Sequence, residues 1–229
     1  VLQFVLAPNV TQFYVPRELV DFRIDNNRQF SGSFYIVKKF DSPDGSTTVM
    51  IHKFENPFDS ISGVRLVYRE IHYLRTLAHE NIVKLQRTYK VDDEEIDSQS
   101  IYYITDYCGV YLREKIEEGR YSLECVKQWC TELLRAVAYL HSKGIIHGNL
   151  HPGNICIDDN GKLTISGFGN VHTSVIDPTT NEMGASECVS RYMPIEQLID
   201  WEDEFDEKVD IWSIATILYE LLTGSPLFD

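Results

Sequence analysis

The sequence predicts an α+β protein of two lobes, a small β-sheet lobe carrying one helix followed by a mainly helical lobe, and three observations predict it. Strand-forming residues alternate with polar ones through roughly the first hundred positions, a single helical period interrupts them, and after Gly109 the apolar spacing becomes helical. Residues 34–40, the turn signal Asp41-Ser42-Pro43-Asp44-Gly45 and residues 47–54 read as a hairpin. Over 61–77 the apolar residues Val64, Val67, Ile71 and Leu74 recur at spacings of three and four, which predicts a helix; residues 101–105 resume the strand pattern. Ser122 is placed to cap the next helix, Val126, Trp129, Cys130, Leu133, Leu134, Val137 and Leu140 form its apolar stripe, and Gly144 stands where a terminating glycine belongs. A last helix over 210–223 is apolar on every face and therefore asks for burial on all sides. The division expected is an extension at 1–18, a first lobe at 19–105, a joining segment at 106–109 and a second lobe at 110–229.

Composition narrows the function. Among 229 residues, 21 Lys and Arg stand against 35 Asp and Glu, a formal charge of −14, so phosphate backbones and anionic lipid surfaces are repelled and protein partners are favoured over nucleic acid or membrane. The acidic runs 92–97 and 202–207 read as solvated loops, with docking of basic peptides as the alternative. Five cysteines (Cys108, Cys125, Cys130, Cys156, Cys188) without a CxxC pair fit free thiols in a reducing compartment, and a cytoplasmic location, extending to the nucleus, is expected. No run approaches the ~18 apolar residues that cross a bilayer, and the first residues lack the basic flank of a secretory signal.

The chemistry-bearing segments come in a fixed order. His147-Gly148-Asn149-Leu150-His151-Pro152-Gly153-Asn154 is followed by Gly167-Phe168-Gly169, by Arg191-Tyr192-Met193-Pro194-Ile195-Glu196, and by Asp210-Ile211-Trp212-Ser213. In order and spacing these resemble the catalytic loop, the Asp-Phe-Gly turn, the Ala-Pro-Glu segment and the central helix of protein kinases. Glu70 in Tyr68-Arg69-Glu70-Ile71 and the stretch His79-Glu80-Asn81-Ile82-Val83 extend the match upstream. Asn56-Pro57-Phe58-Asp59-Ser60-Ile61 and Ile145-Ile146-His147 are most similar to the stress-activated branch of the mitogen-activated protein kinases. The resemblance implies a bilobal protein-kinase-like fold that stops after the central helix, and the chain reads as a fragment, or as a protein whose last helix a partner covers.

Phosphoryl transfer rests on positioning and charge stabilisation by a few groups, and their positions can be read one by one. The family's catalytic base stands here as Asn149, an amide that is no base near neutral pH. The magnesium-binding aspartate is Gly167, leaving Asn154 alone of the usual metal pair, a poor site for a cation that prefers carboxylate and phosphate oxygens. His52 occupies the place of the phosphate-binding lysine; side chains alternate along a strand, so Lys53 is expected to point away from the nucleotide. Met50 replaces an alanine above the adenine, His151 replaces a catalytic-loop lysine, and Gly148 replaces an arginine. The glycine-rich stretch 29–35 holds only Gly32, and its Phe30, Phe34 and Tyr35 are expected to tuck an aromatic into the vacant cleft. Residues 181–186 lack the Thr-x-Tyr activation signature. The resemblance also makes His147 and Phe168 packing residues, gives Asp210 the task of holding the catalytic-loop backbone, and leaves Glu196 needing an arginine from a later segment. Histidines His52, His147 and His151 do not have the spacing of a metal site.

What this implies is a catalytically inactive pseudokinase that acts by binding proteins of a mitogen-activated kinase pathway, such as an upstream kinase, a substrate or a sister kinase. No cofactor is expected, with ATP and magnesium bound weakly or not at all. If a nucleotide binds, the candidate pocket residues are Gly32, Val37, Met50, Lys53, Glu70, Thr105, Tyr107, Asn154 and Cys156. The alternative is a weakly active kinase in which a register shift brings Lys53 to the phosphates while Asn154 and His151 orient the nucleotide. A decayed paralogue with no molecular role is the third reading.

Overall fold

The computed structural model describes residues 4–6, 14–16, 19, 21–31, 35–90, 100–173, 190–198 and 206–228. The expectations about Gly32, Phe34, the run 92–97, the activation segment 181–186 and most of 202–207 fall outside them. The chain divides into two compact units, residues 1–67 with 84–107, and residues 68–83 with 108–229.

In the first unit, β1 (Phe4–Leu6) pairs antiparallel with β2 (Tyr14–Pro16). A five-stranded antiparallel sheet is built from β3 (Arg23–Ser31), β4 (Tyr35–Asp41), β5 (Thr48–Phe54), β6 (Leu85–Lys90) and β7 (Ile101–Asp106), in the order β3-β4-β5-β7-β6. The expected hairpin is β4–β5. Asp44 organises its turn by accepting from Ser42 Oγ at 2.6 Å and Ser46 N at 3.0 Å, and Gly45 takes the positive φ of 71° that the turn requires. Period-two alternation then sorts the side chains. Phe40, Val49, Ile51, Ile104, Tyr102 and Tyr89 face a core closed by Val15 and Leu19, while Val37, Met50, His52, Tyr103 and Thr105 share the opposite face.

The expected first helix is α1 (Ile61–Thr76). Its buried stripe differs from the expected one: Val67, Glu70 and Leu74 are buried, whereas Val64 is 40% exposed and Ile71 only half-buried. The stripe is rotated because the helix buries a carboxylate, Glu70, on the face it shares with Val67 and Leu74.

The second unit takes in residues 68–83, where the sequence places all of 19–105 in one lobe. The reason is local. Asn81 Nδ2 donates to Leu163 O at 2.7 Å, Ile165 N to Asn81 O at 2.8 Å, Val83 N to Ile165 O at 3.0 Å, and Ala78 N to the Tyr139 hydroxyl at 3.0 Å. The rest of this unit comprises β8 (Val110–Tyr111), α2 (Leu112–Glu118), α3 (Leu123–His141), β9 (Ile145–Ile146), β10 (Ile155–Ile157), β11 (Leu163–Ile165), β12 (His172–Thr173), α4 (Ile195–Leu198) and α5 (Lys208–Thr223). Ser122 caps α3 by accepting from Cys125 N at 3.3 Å, a bond whose loss costs helices about 1 kcal/mol. Along α3 the buried side chains are Val126, Trp129, Leu133, Ala136, Val137 and Leu140; Leu134 is 43% exposed, because the buried stripe runs through Ala136 instead. On α5, Val209, Asp210, Ile214, Ile217 and Leu221 are buried while Ile211, Trp212, Tyr219 and Leu222 are exposed, so one face of this apolar helix is uncovered. Among the described residues no helix is long and apolar enough to cross a membrane.

Candidate functional site

In the first unit the candidate positions lie on β4, β5 and β7. β5 pairs with β4 over Thr48–Phe54 and with β7 over Val49–Phe54, without a shift of register on either edge. His52 and Lys53 consequently lie on opposite faces. Lys53 is buried on the Ile51 side and its Nζ reaches Glu55 Oε1 at 2.6 Å. His52 pairs across the ladder with Val37 and Tyr103, stacks on the Tyr103 ring at 4.1 Å and 10°, and shares a 3.0 Å hydrogen bond between its Nε2 and Thr105 Oγ1. Burial holds the His52 imidazole down to about 3, against an ordinary value of 6.5, so it is uncharged at neutral pH. Met50 is opposite Thr105 and both are buried. Tyr107 is half-buried, with Lys39 Nζ 4.9 Å from its ring centroid.

In the second unit the loop after β9 is fixed by one carboxylate. Asp210 on α5, wholly buried, accepts from His147 N and Gly148 N at 2.9 Å each and from His141 Nε2 at 2.8 Å. His147 Nε2 donates to Ser166 O at 3.0 Å, which leaves its Nδ1 to accept from Asn149 N at 3.3 Å; burial pushes this imidazole below its ordinary value and keeps it neutral. Its ring lies 5.1 Å from that of Phe168.

The positions where charge would be expected carry none. Asn149 is buried, and its carbonyl accepts from Asn154 Nδ2 at 2.9 Å. Gly167 has φ 81°, and a Cβ added there would stand 2.5 Å from Asn154 Cγ and 2.6 Å from Asn154 Oδ1, so the Asn154 carboxamide occupies the space into which a side chain at 167 would grow. His151 Nδ1 accepts from Gly153 N at 3.1 Å, and burial, with His147 and Arg113 nearby, holds His151 down to about 3. Gly148, at φ 71°, would bring a Cβ within 2.9 Å of His172 Cδ2 and 3.0 Å of Asn170 O, so any side chain there requires the His172 ring to move. Burial and the charge of Arg69 hold His172 down to about 4. Glu70 is buried in α1, and Cys156 is wholly buried on β10.

The sequence did not single out two further groups of this region. Gln197, buried on α4, donates from Nε2 to Gly148 O at 3.1 Å, and buried Glu220 on α5 accepts from the Tyr192 hydroxyl at 2.6 Å. Their spacing from the loop carries no local signal. Glu196, for which an arginine partner was expected, is only half-buried, and Glu220 takes the buried acceptor position beside Tyr192. Among the described residues no three His, Cys, Asp or Glu side chains gather as metal ligands.

Comparison with known proteins agrees with this geometry. The protein kinase domain family matches residues 31–229. The chain is similar to the mitogen-activated protein kinase pmk-1 of Caenorhabditis elegans, 31% identical over 198 residues that cover 86% of this chain and 51% of that protein. It is similar to the mitogen-activated protein kinase HOG1 of Saccharomyces cerevisiae, 31% identical over 204 residues, 89% of this chain and 44% of that one. Mitogen-activated protein kinase p38b of Drosophila melanogaster is 31% identical over 186 residues, 80% of this chain and 49% of its own. The chain thus spans about half the length of these relatives. An α+β chain in which a five-stranded antiparallel sheet precedes a mainly helical unit, with an aspartate of α5 holding the loop at His147, belongs to the protein kinase family and has its relatives among the mitogen-activated protein kinases.

Proposed function

We propose that this protein is a pseudokinase that binds proteins of a mitogen-activated kinase pathway in the cytoplasm and nucleus and transfers no phosphate. One observation carries the reading: the three positions that the family fills with charge, at 52, 149 and 167, hold a neutral buried imidazole, an amide and a glycine. Phosphoryl transfer needs cations on the phosphates and a carboxylate on the nucleophile, and no step can be written through these three groups. ATP and magnesium bind weakly or not at all, because Asn154 is the remaining oxygen ligand of the metal pair, and a single amide oxygen is a poor site for a cation that prefers carboxylate and phosphate oxygens. The weakly active alternative needs Lys53 on the face of His52, and the unbroken register of β5 gives it no support. Relatives named as mitogen-activated protein kinases make upstream kinases, substrates or sister kinases the partners to test.

The test is thermal unfolding with millimolar ATP, with and without Mg²⁺, beside a phosphotransfer assay on the same sample. A ligand at a hundred times its Kd stabilises by about 2.7 kcal/mol, which raises Tm by several degrees. The expected result is no Mg²⁺-dependent shift and no phosphorylated product. A Mg²⁺-dependent rise in Tm, or transfer abolished by Lys53→Ala, overturns the reading.

A further inference from the structure

β10 and β11 pair antiparallel, with Ile155 opposite Ile165 and Ile157 opposite Leu163, and residues 158–162 turn between them. Asp158 organises the turn. Its Oδ1 accepts from Asn160 N and Lys162 N at 2.9 Å each, and its own N donates to Lys162 O at 3.0 Å. Gly161 takes φ 80°, with nothing within 4 Å of the place where a Cβ would stand. Its carbonyl anchors the turn on α3, accepting from Nε1 of the buried Trp129 at 2.9 Å and from Gln128 Nε2 at 3.2 Å. Asn160 is exposed, and among the described residues no hydrogen bond holds its carboxamide.

We propose that Asn160 is a site of spontaneous deamidation, and that its isoaspartyl product releases the turn from α3. The sequence holds one Asn-Gly pair, and it is this one. Attack of a backbone nitrogen on the preceding carboxamide needs an N–H, an approach no side chain shields, and a carboxamide free to rotate. The other asparagines with described surroundings each lack a requirement. Asn56 is exposed but precedes Pro57, which has no N–H. Asn81, Asn149, Asn154 and Asn170 are buried and precede the branched Ile82, Leu150, Ile155 and Val171. At Asn160 all three requirements are met once Gly161 N lets go of Asp158 O, a single 2.9 Å bond in a turn whose residues 159, 160 and 162 are exposed. Gly161 N then loses its proton to solvent and attacks Asn160 Cγ, the new C–N bond closes a succinimide, and the side-chain nitrogen leaves as ammonia. Water opens the ring in either of two ways. Addition at Cγ breaks the Cγ–N bond and gives aspartate on an unchanged backbone. Addition at the backbone carbonyl carbon of residue 160 breaks its bond to Gly161 N and leaves the chain running through Cγ, as isoaspartate with one more carbon in the backbone. Either route consumes one water, releases one ammonia and adds one negative charge. The ladder of β10 with β11 fixes both ends of the turn, so the added carbon is absorbed within 158–162. The Gly161 carbonyl moves off its two donors, and the buried Trp129 indole loses its acceptor.

The experiment ages the full folded chain at mildly alkaline pH and maps its peptides by mass spectrometry, with electron-transfer fragmentation to separate aspartate from isoaspartate. The expected result is conversion at Asn160 before any other asparagine, with both products present. In parallel the Trp129 indole N–H resonance is followed by NMR, assigned through Tyr121, whose ring lies 4.8 Å away. A second Trp129 resonance is expected to grow in proportion to isoaspartate. Asn160→Asp, which copies the aspartyl product, is expected to keep the original resonance, and Asn160→Gln to abolish both the conversion and the second resonance. Conversion at Asn160 only after unfolding in urea overturns the proposal, as does earlier conversion of another asparagine in the folded chain. An isoaspartyl product that leaves the Trp129 resonance in place, or a shift equally large in Asn160→Asp, overturns the release from α3.

Discussion

Two neighbourhoods of the second unit diverge. Around Asp210 the backbone of the loop after β9 is held by two hydrogen bonds to one buried carboxylate, which also accepts from the His141 side chain. Around Asn149, Asn154 and Gly167 the polar groups have closed on one another with neutral amides. The first arrangement is structural: without the carboxylate, two buried backbone N–H groups lose their acceptor. The second is satisfied without charge, by a hydrogen bond from the Asn154 amide to the Asn149 carbonyl. The two neighbourhoods use different atoms of the same loop, backbone N–H groups at Asp210 and an amide on a backbone carbonyl at Asn154.

The sharpest test of this contrast removes the scaffold. Asp210→Ala is expected to lose about 3–5 kcal/mol, measured by urea unfolding, because it strips the partners of buried donors. A loss no larger than those that follow erases the distinction. Next, Gly167→Ala is expected to destabilise by about 2 kcal/mol, from both the positive φ and the approach to Asn154. Combining it with Asn154→Ala should recover at least about 0.5 kcal/mol relative to additivity, and strict additivity would mean that the two positions do not share space.

A smaller effect is read in the pH dependence. Folded His52 is held at about 3 while the unfolded chain titrates near 6.5, so at pH values between them the unfolded state binds the extra proton. Its contribution to stability is complete above about 6.5 and is lost as the pH falls toward 3, by about 1.4 kcal/mol per pH unit. His52→Phe is expected to flatten the stability profile by that slope between pH 6 and 5, whatever it does to stability at pH 7. An unchanged slope would mean that the imidazole is protonated in the fold. Smallest is Glu55→Gln, expected to stay within about 1 kcal/mol because the Glu55 side chain is 44% exposed and Gln keeps an oxygen that can accept from Lys53.

Periodicity made the strands, α1 and α3 legible, since apolar spacing is a local property and Ser122 and the Asp44-Gly45 turn carry their own chemistry. The opposite facing of His52 and Lys53 follows from the same period of two. The resemblance located Asn149, Gly167 and Asp210. It did not give the partners of these residues: His52 meets Thr105, 53 positions away, and Gln197 meets Gly148, 49 positions away. No spacing rule reaches that far. Val64 and Leu134 lie off the buried faces for different reasons: in α1 the neighbouring Glu70 is buried, and in α3 the small Ala136 lies on the buried stripe.

The segment at Asn81 acquires a meaning during synthesis. Its side-chain acceptor, the Leu163 carbonyl, lies 82 positions further along the chain. At about 5–20 residues per second a ribosome takes about 4–16 s to cover that distance. All strands of the first unit's sheet end at Asp106, so that sheet can assemble while residues 78–83 still wait for β11. A pause in translation between 107 and 163 would lengthen that wait and keep Ile82 and Val83, buried in the finished protein, open to chaperones or to mispairing.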